Sequence, residues 1–103
     1  MTRPPEAVRL DLNNPVFLRN LFALTKTDQR HVLTTLGKLF QMTWDQIYRD
    51  PGLKWEAIVS LVGPHGGRLY SFRMGKALRA VAYRQDAWLR ILSLHPDHDS
   101  AYE

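Results

Sequence analysis

Leu69-Tyr70-Ser71-Phe72-Arg73-Met74-Gly75-Lys76-Ala77-Leu78-Arg79-Ala80-Val81-Ala82-Tyr83-Arg84 is the stretch on which the fold turns. Successive side chains of a strand point to opposite faces, so a period of two marks a half-buried strand. Tyr70, Phe72 and Met74 share one face, while Ser71 and Arg73 share the other. After the break at Gly75-Lys76, Leu78, Ala80 and Ala82 fall on one face and Arg79, Val81 and Tyr83 on the other. Two such runs joined this tightly predict an antiparallel hairpin. A two-residue turn pairs residues equidistant from it, which is expected to set Arg73 opposite Arg79 on one side of the sheet. One face can then hold the core, and the other can present both arginines beside aromatic rings.

Working outward, the period of two extends back over residues 56–62 and forward over 88–95. Gly63-Pro64-His65-Gly66-Gly67 and Gln85-Asp86-Ala87 are the connections. Before Trp55 the period is helical. Asn14 can cap a first helix, Pro15 suits its first turn, and Phe17, Leu18, Leu21 and Phe22 follow at helical spacing. Past the short break Thr25-Lys26-Thr27, Thr27 can cap a second helix whose stripe is Val32, Leu33, Leu36, Leu39 and Phe40. So short a break predicts a helical hairpin. Gly37 inside that helix costs about 1 kcal/mol against alanine, and is expected to mark a close helix contact. Thr43-Trp44-Asp45-Gln46 has the spacing of a capping box for a short third helix, which Asp50-Pro51-Gly52 ends in a turn. Val8, Leu10 and Leu12 alternate with Arg9 and Asp11 as a short first strand.

Helices followed by a run of strands predict an α+β fold. The expected architecture is an antiparallel sheet of about five strands, mixed at the first strand, with an N-terminal helical hairpin packed on one face. The 103 residues match one domain, 1–103, with 1–6 as a loose leader.

Composition narrows the function classes. Apolar residues make up 45% of the chain and charged residues 23%, values of an ordinary folded protein. The absence of cysteine excludes disulfides, thiolate chemistry and cysteine zinc sites. With no apolar run resembling a signal peptide or membrane span, a soluble, cytoplasmic protein with no membrane partner is expected. The net charge is +4. Arg68, Arg73, Lys76, Arg79, Arg84 and Arg90 fall in one stretch where only Asp86 opposes them. Arginine's planar fork suits phosphate oxygens, and such a concentration attracts polyanions, although a solvated charged face has the same composition.

The segment with the densest chemistry is Leu94-His95-Pro96-Asp97-His98-Asp99-Ser100-Ala101-Tyr102. Histidine exchanges protons near neutral pH, so His98 and Tyr102 are candidate acid–base residues. A metal site at His95-x-x-His98 with Asp97 and Asp99 is disfavoured, because Pro96 breaks the helix that aligns such a pair. Leu53-Lys54-Trp55-Glu56 is the second candidate. In an extended chain Lys54 and Glu56 share a face, with Glu56 a possible base and Lys54 a phosphate contact, or the two a surface ion pair. Trp44, Trp55 and Trp88 are expected in the core rather than as stacking platforms, and His31 and His65 are expected to be incidental. The glycine-rich 63–67 loop lacks the spacing of a phosphate-binding loop.

Leu69-Tyr70-Ser71-Phe72-Arg73, Leu78-Arg79-Ala80-Val81-Ala82-Tyr83-Arg84 and the histidine-to-tyrosine tail resemble the RelE/ParE toxin superfamily, over about residues 7–103. Many of its members cleave mRNA on the ribosome without a metal, while others inhibit DNA gyrase and lack the catalytic set. In the cleaving members a nucleotide's 2′-hydroxyl attacks the neighbouring phosphate. The resemblance implies catalytic roles for Glu56, Arg73, Arg79, His98 and Tyr102. It implies RNA contacts from Lys54, Arg68, Lys76, Arg84, Arg90 and His95. It also implies mRNA, the ribosome and a cognate antitoxin protein as partners, with no metal or small-molecule cofactor. Asp97, Asp99 and the extra helical turn at Trp44 depart from the pattern. A gyrase-inhibiting member of the fold and a plain RNA-binding module are the rival readings.

Overall fold

The computed structural model describes residues 3–96. The elements are β1 (Arg9–Asp11), α1 (Pro15–Ala23), α2 (Lys26–Phe40), α3 (Trp44–Arg49) and β2 (Glu56–Val62), then β3 (Arg68–Gly75), β4 (Leu78–Gln85) and β5 (Trp88–His95). One turn of 3₁₀ helix, Pro64–Gly66, joins β2 to β3. The strands form one sheet in the order β1-β5-β4-β3-β2. β1 runs parallel to β5 and the other neighbours are antiparallel, so the sheet is mixed at its first strand, as the sequence predicts.

Local capping sets the helices. The Asn14 side chain accepts a hydrogen bond from the Val16 N–H at 2.8 Å, with Pro15 in the first turn. Thr25, rather than Thr27, caps α2, its hydroxyl accepting from the Asp28 N–H at 3.2 Å, so the helix starts two residues earlier than expected. Thr43 and Gln46 form the reciprocal capping box of α3. After α3 the Asp50 carboxylate accepts from the N–H groups of Gly52 and Leu53, which closes the turn into β2.

The helices cover one face of the sheet. Phe17, Val32, Leu39 and Ile47 pack with Phe72, Met74, Leu78, Ala80, Leu89 and Ile91 into the main core. The buried stripe of α2 is narrower than its apolar pattern, since Leu33 and Phe40 are 65% and 42% exposed. These two lie seven residues apart, about 20° from one another around the helix, so both fall on the same shoulder of the buried line. Gly37 meets no helix, for a Cβ placed there has nothing within 4 Å. The close approach is at Gly75, where a Cβ would lie 2.9 Å from Nδ1 of His31. Glycine there lets α2 lie against the end of β3. The opposite face of the sheet carries a small cluster of Ile58, Leu69 and Val81, edged by Leu61, Tyr83 and Leu92, with no helical residue in it. Among the described residues, no helix is long and apolar enough to cross a membrane.

Candidate functional site

The open face owes its polar row to two β-bulges. Gly75 and Leu78 pair across the Lys76-Ala77 turn. Counted evenly from that turn, Arg73 would oppose Ala80 and Arg79 would oppose Met74. A register shift between Arg73 and Gly75 adds one residue to β3, and Arg73 then faces Arg79. The expected pairing is present, but the bulge produces it rather than the turn. The β4–β5 hairpin repeats the device. It begins at Gln85 opposite Trp88, and its register shifts between Val81 and Ala82, where Leu92 is the extra residue, so that Arg79 faces His95. With an even register His95 would oppose Leu78 and enter the core, because a one-residue slip reverses the face of every side chain. Arg73, Arg79 and His95 thus stand in one row across three strands, with Cα neighbours at the roughly 4.5–5.5 Å of directly opposed residues.

Arg79 is the centre of the row. It is only 3% exposed. Its Nη2 donates to Ser71 Oγ at 2.8 Å, to Glu56 Oε1 at 3.0 Å and to the Lys54 carbonyl at 3.3 Å. A buried charge is costly without a partner. Glu56, 53% exposed at the start of β2, supplies the opposite charge from the rim. Among the described residues Nε of Arg79 is buried without an acceptor. Such an unpaired donor costs about 1–3 kcal/mol. The guanidinium is therefore fixed in direction on one side and still has donor capacity. In the same row, Nε2 of His95 lies 2.9 Å from Ser93 Oγ. Burial lowers the His95 pKa below its ordinary 6.5, which leaves the ring neutral at neutral pH.

The other predicted residues are dispersed. Lys54 has a left-handed backbone, φ 49°, and precedes β2. The extended chain that would align it with Glu56 is absent, because the turn from Asp50 ends there. Its carbonyl, instead of its side chain, is what the structure brings to Arg79. Lys76 is exposed in the turn beside Arg73 and Arg79. Arg68 is exposed at the start of β3, on the parity of Tyr70 and Phe72. Arg84 lies on the helix-covered side, with Cζ 4.5 Å from the Trp44 ring centroid and Nη1 donating to the Tyr48 hydroxyl at 2.7 Å. Arg90 is on the open face opposite Tyr83 and donates to Asp11 at 2.6 Å. His98 and Tyr102 lie outside the described residues, as do Asp97 and Asp99.

The aromatic rings expected beside the arginines are mostly on the other side of the sheet. Trp55 stacks on Tyr70 and Phe72 with centroids 4.8 and 5.7 Å apart, and meets Trp44 edge-on. Parity explains this, since Tyr70 and Phe72 alternate with Ser71 and Arg73. Tyr83 is the ring of β4 on the arginine face. Ser71 and Ser93 escaped the sequence reading. The available signal for Ser71 was a small polar residue between two core positions, on the parity of Arg73. Among the described residues no three His, Asp or Glu side chains come together as a metal-holding group.

No protein-family model matches the chain, and no curated protein sequence matches it. Solved structures do. The archaeal RelE–RelB complex from Pyrococcus horikoshii OT3 contains a chain 22% identical, aligned over 87% of this chain and 94% of that one, with a TM-score of 0.62. A copper-bound mutant toxin from Helicobacter pylori is 19% identical over 90% of this chain and 97% of its own, with a TM-score of 0.50. The α+β architecture with its mixed five-stranded sheet is the RelE/ParE-like toxin fold.

Proposed function

We propose that this chain, built on a toxin fold, is the toxin of a toxin–antitoxin pair and cleaves mRNA, with the ribosome as the setting. The observation that supports this reading is the row Arg73–Arg79–His95 on an open sheet face, with Glu56 anchoring the buried Arg79. The RelE of the archaeal complex is solved with RelB, and a protein antitoxin is the partner proposed here.

The chemistry is a transesterification within the RNA. The scissile phosphate lies between Arg73 and Arg79. His95, neutral because it is buried, takes the proton from the 2′-hydroxyl. The 2′-oxygen bonds to phosphorus, and negative charge grows on the phosphate oxygens. Arg79 already points in one direction, held by Ser71, Glu56 and the Lys54 carbonyl, so stabilising that charge requires little reorganisation. The bond to the 5′-oxygen then breaks, and His98 or Tyr102 donates the proton to the leaving group. The products are a 2′,3′-cyclic phosphate and a 5′-hydroxyl. Glu56 acts as counter-ion and positioner of Arg79. Lys54, Lys76 and Arg68 add attraction for the backbone.

Incubating the protein with mRNA, free and on ribosomes, in EDTA tests this reading. The expected result is cleavage that EDTA does not abolish, leaving cyclic phosphate ends. Intact RNA in both settings, with replication rather than translation arrested in cells, would replace it with inhibition of a protein target such as DNA gyrase.

A further inference from the structure

We propose that Arg9, Trp88 and Arg90 form a second nucleotide subsite, which stacks one base of a single-stranded RNA several nucleotides away from the bond that is cut. The inference rests on the RNA-cleaving reading above and extends it along the sheet.

Parallel pairing of β1 with β5 sets Arg9 beside Trp88, Leu10 beside Leu89 and Asp11 beside Arg90. Leu89 is fully buried in the main core with Leu10 packed against it, so Arg9, Asp11, Trp88 and Arg90 face the other way. Tyr83 pairs with Arg90 and belongs to the same side as Arg79. The cluster therefore shares the open face with the polar row. From Arg79 to Gln85, the partner of Trp88, is six residues of β4, roughly 20 Å at about 3.3 Å per residue. Between the two ends lies the apolar shelf of Val81, Leu92 and Tyr83.

The cluster has the parts a base needs. Trp88 is half-buried and, unlike Trp44, is outside the main core. The Arg9 and Arg90 guanidinium carbons lie 5.8 and 5.2 Å from its ring centroid. Flat cations and indole rings are both surfaces on which bases stack. A cleft of about 520 Å³ opens beside the ring, bounded by Leu10, Asp11, Leu12, Asn13, Trp88 and Arg90. Charge divides the two arginines. Asp11 holds Arg90 at 2.6 Å, and Gln85 accepts from its Nε at 2.8 Å, which fixes Arg90 as a plate. Arg9 is exposed and makes no ion pair among the described residues, so its charge is available to a phosphate. Core packing does not account for a tryptophan under two cations on a face that no helix covers.

A 2′-O-methyl oligouridine, which lacks the attacking hydroxyl, reports binding without cleavage. Its affinity, relative to that of a uridine dinucleotide too short to span the face, measures the subsite. Trp88→Ala is expected to weaken the oligouridine about 5- to 100-fold, the range for loss of one stacked base. Trp88→Phe should restore most of that affinity, since a ring face remains. Arg9→Ala, at an exposed position where folding is not at issue, should make the log–log salt slope shallower by about 0.7. Folded Trp88→Ala and Arg9→Ala proteins that hold the oligouridine as tightly as wild type would overturn the subsite. So would a loss confined to antitoxin binding, which would make the cluster a protein-docking point. A wild-type protein that binds neither RNA yet cuts mRNA on ribosomes would also overturn the subsite, whereas one that binds neither and leaves ribosomal mRNA intact would bring down the RNA-cleaving reading itself.

Discussion

The two faces of the same sheet use arginine in opposite ways. Arg79 and Arg84 lie on one strand, five residues apart in the chain, and point to opposite sides. Arg79, on the side without helices, is almost wholly buried, and its Nε is unpaired among the described residues. Arg84, on the helix-covered side, is exposed at the margin of the core, and the Asp86 carbonyl, the Tyr48 hydroxyl and the Trp44 ring all engage it. What distinguishes Arg79 is a direction fixed by the acceptors around Nη2, together with a buried Nε that has no acceptor among the described residues. The face behind it supplies the rigidity, through large side chains that interlock with the helices.

Four experiments break or sharpen this contrast. The largest expected effect is on the covered face. Phe72 is fully buried, so Phe72→Ala should lower stability by about 3–5 kcal/mol in urea unfolding. Arg79→Ala comes next and should act differently, lowering cleavage about 100- to 1,000-fold in a protein that still folds. Arg79→Lys should not restore activity, because an ammonium held by Ser71, Glu56 and the Lys54 carbonyl lacks the further N–H groups of a guanidinium. If Arg79→Ala destabilises the chain as much as Phe72→Ala, the open-face arginine is a structural element and the contrast fails.

The third experiment is a pH titration. Burial depresses the His95 pKa, so the folded state takes up a proton less readily than the unfolded chain. The unfolded state therefore binds more protons between the depressed value and 6.5, and stability increases with pH across that window. The stabilisation is complete above 6.5 and falls as pH drops towards the folded pKa. The acidic limb of cleavage should likewise have its midpoint below 6.5. Asp11, held low by the Asn13 N–H and by Arg90, and Asp50, held low chiefly by Lys38, act in a separate, more acidic window. His95→Gln should remove the upper window and leave the lower one. An unchanged stability difference between the two proteins from pH 7 down to the acidic limb would refute the buried neutral ring. The smallest effect belongs to Arg84→Ala. It should cost about 0.5–1 kcal/mol of stability, as an exposed cation–π contact does, and lower RNA affinity less than Arg73→Ala does.

Much of this architecture is local and can be read from residues near one another in the chain. Asn14-Pro15 and Thr43-Trp44-Asp45-Gln46 specify their helix starts, because a capping side chain reaches N–H groups only two or three positions away. Strict alternation in 69–74 and 78–84 sorts Phe72 from Arg73 and Ala80 from Arg79 for a similar reason, since parity is a property of one strand. The second helix was legible as a helix, but how many of its apolar residues are buried depends on what α2 meets, and Leu33 and Phe40 meet little. Lys54 was misread because a single left-handed residue ends the parity argument, and its neighbours carry no strong signal for that conformation.

The candidate site is a different kind of problem. Counting from the turn was expected to pair Arg73 with Arg79, but an even count from the actual Lys76-Ala77 turn puts them on opposite faces, and no count would have brought in His95. In residues 88–95 Leu89 and Ile91 have one parity and Leu92 and Leu94 the other, so alternation does not say which pair faces the core. Only the assembled sheet decides. Leu89, Ile91 and Leu94 are all buried in the main core, and their spacing cannot be met by an unbroken strand. Burying all three requires an extra residue in β5, and Leu92 becomes the bulge. The sequence by itself determined the elements, their caps and the basic character of the hairpin, which short-range contacts specify. The tertiary structure decided the register, because strand register is a competition among ways of filling a distant core. The row Arg73–Arg79–His95 is the outcome of that competition, seen from the other side of the sheet.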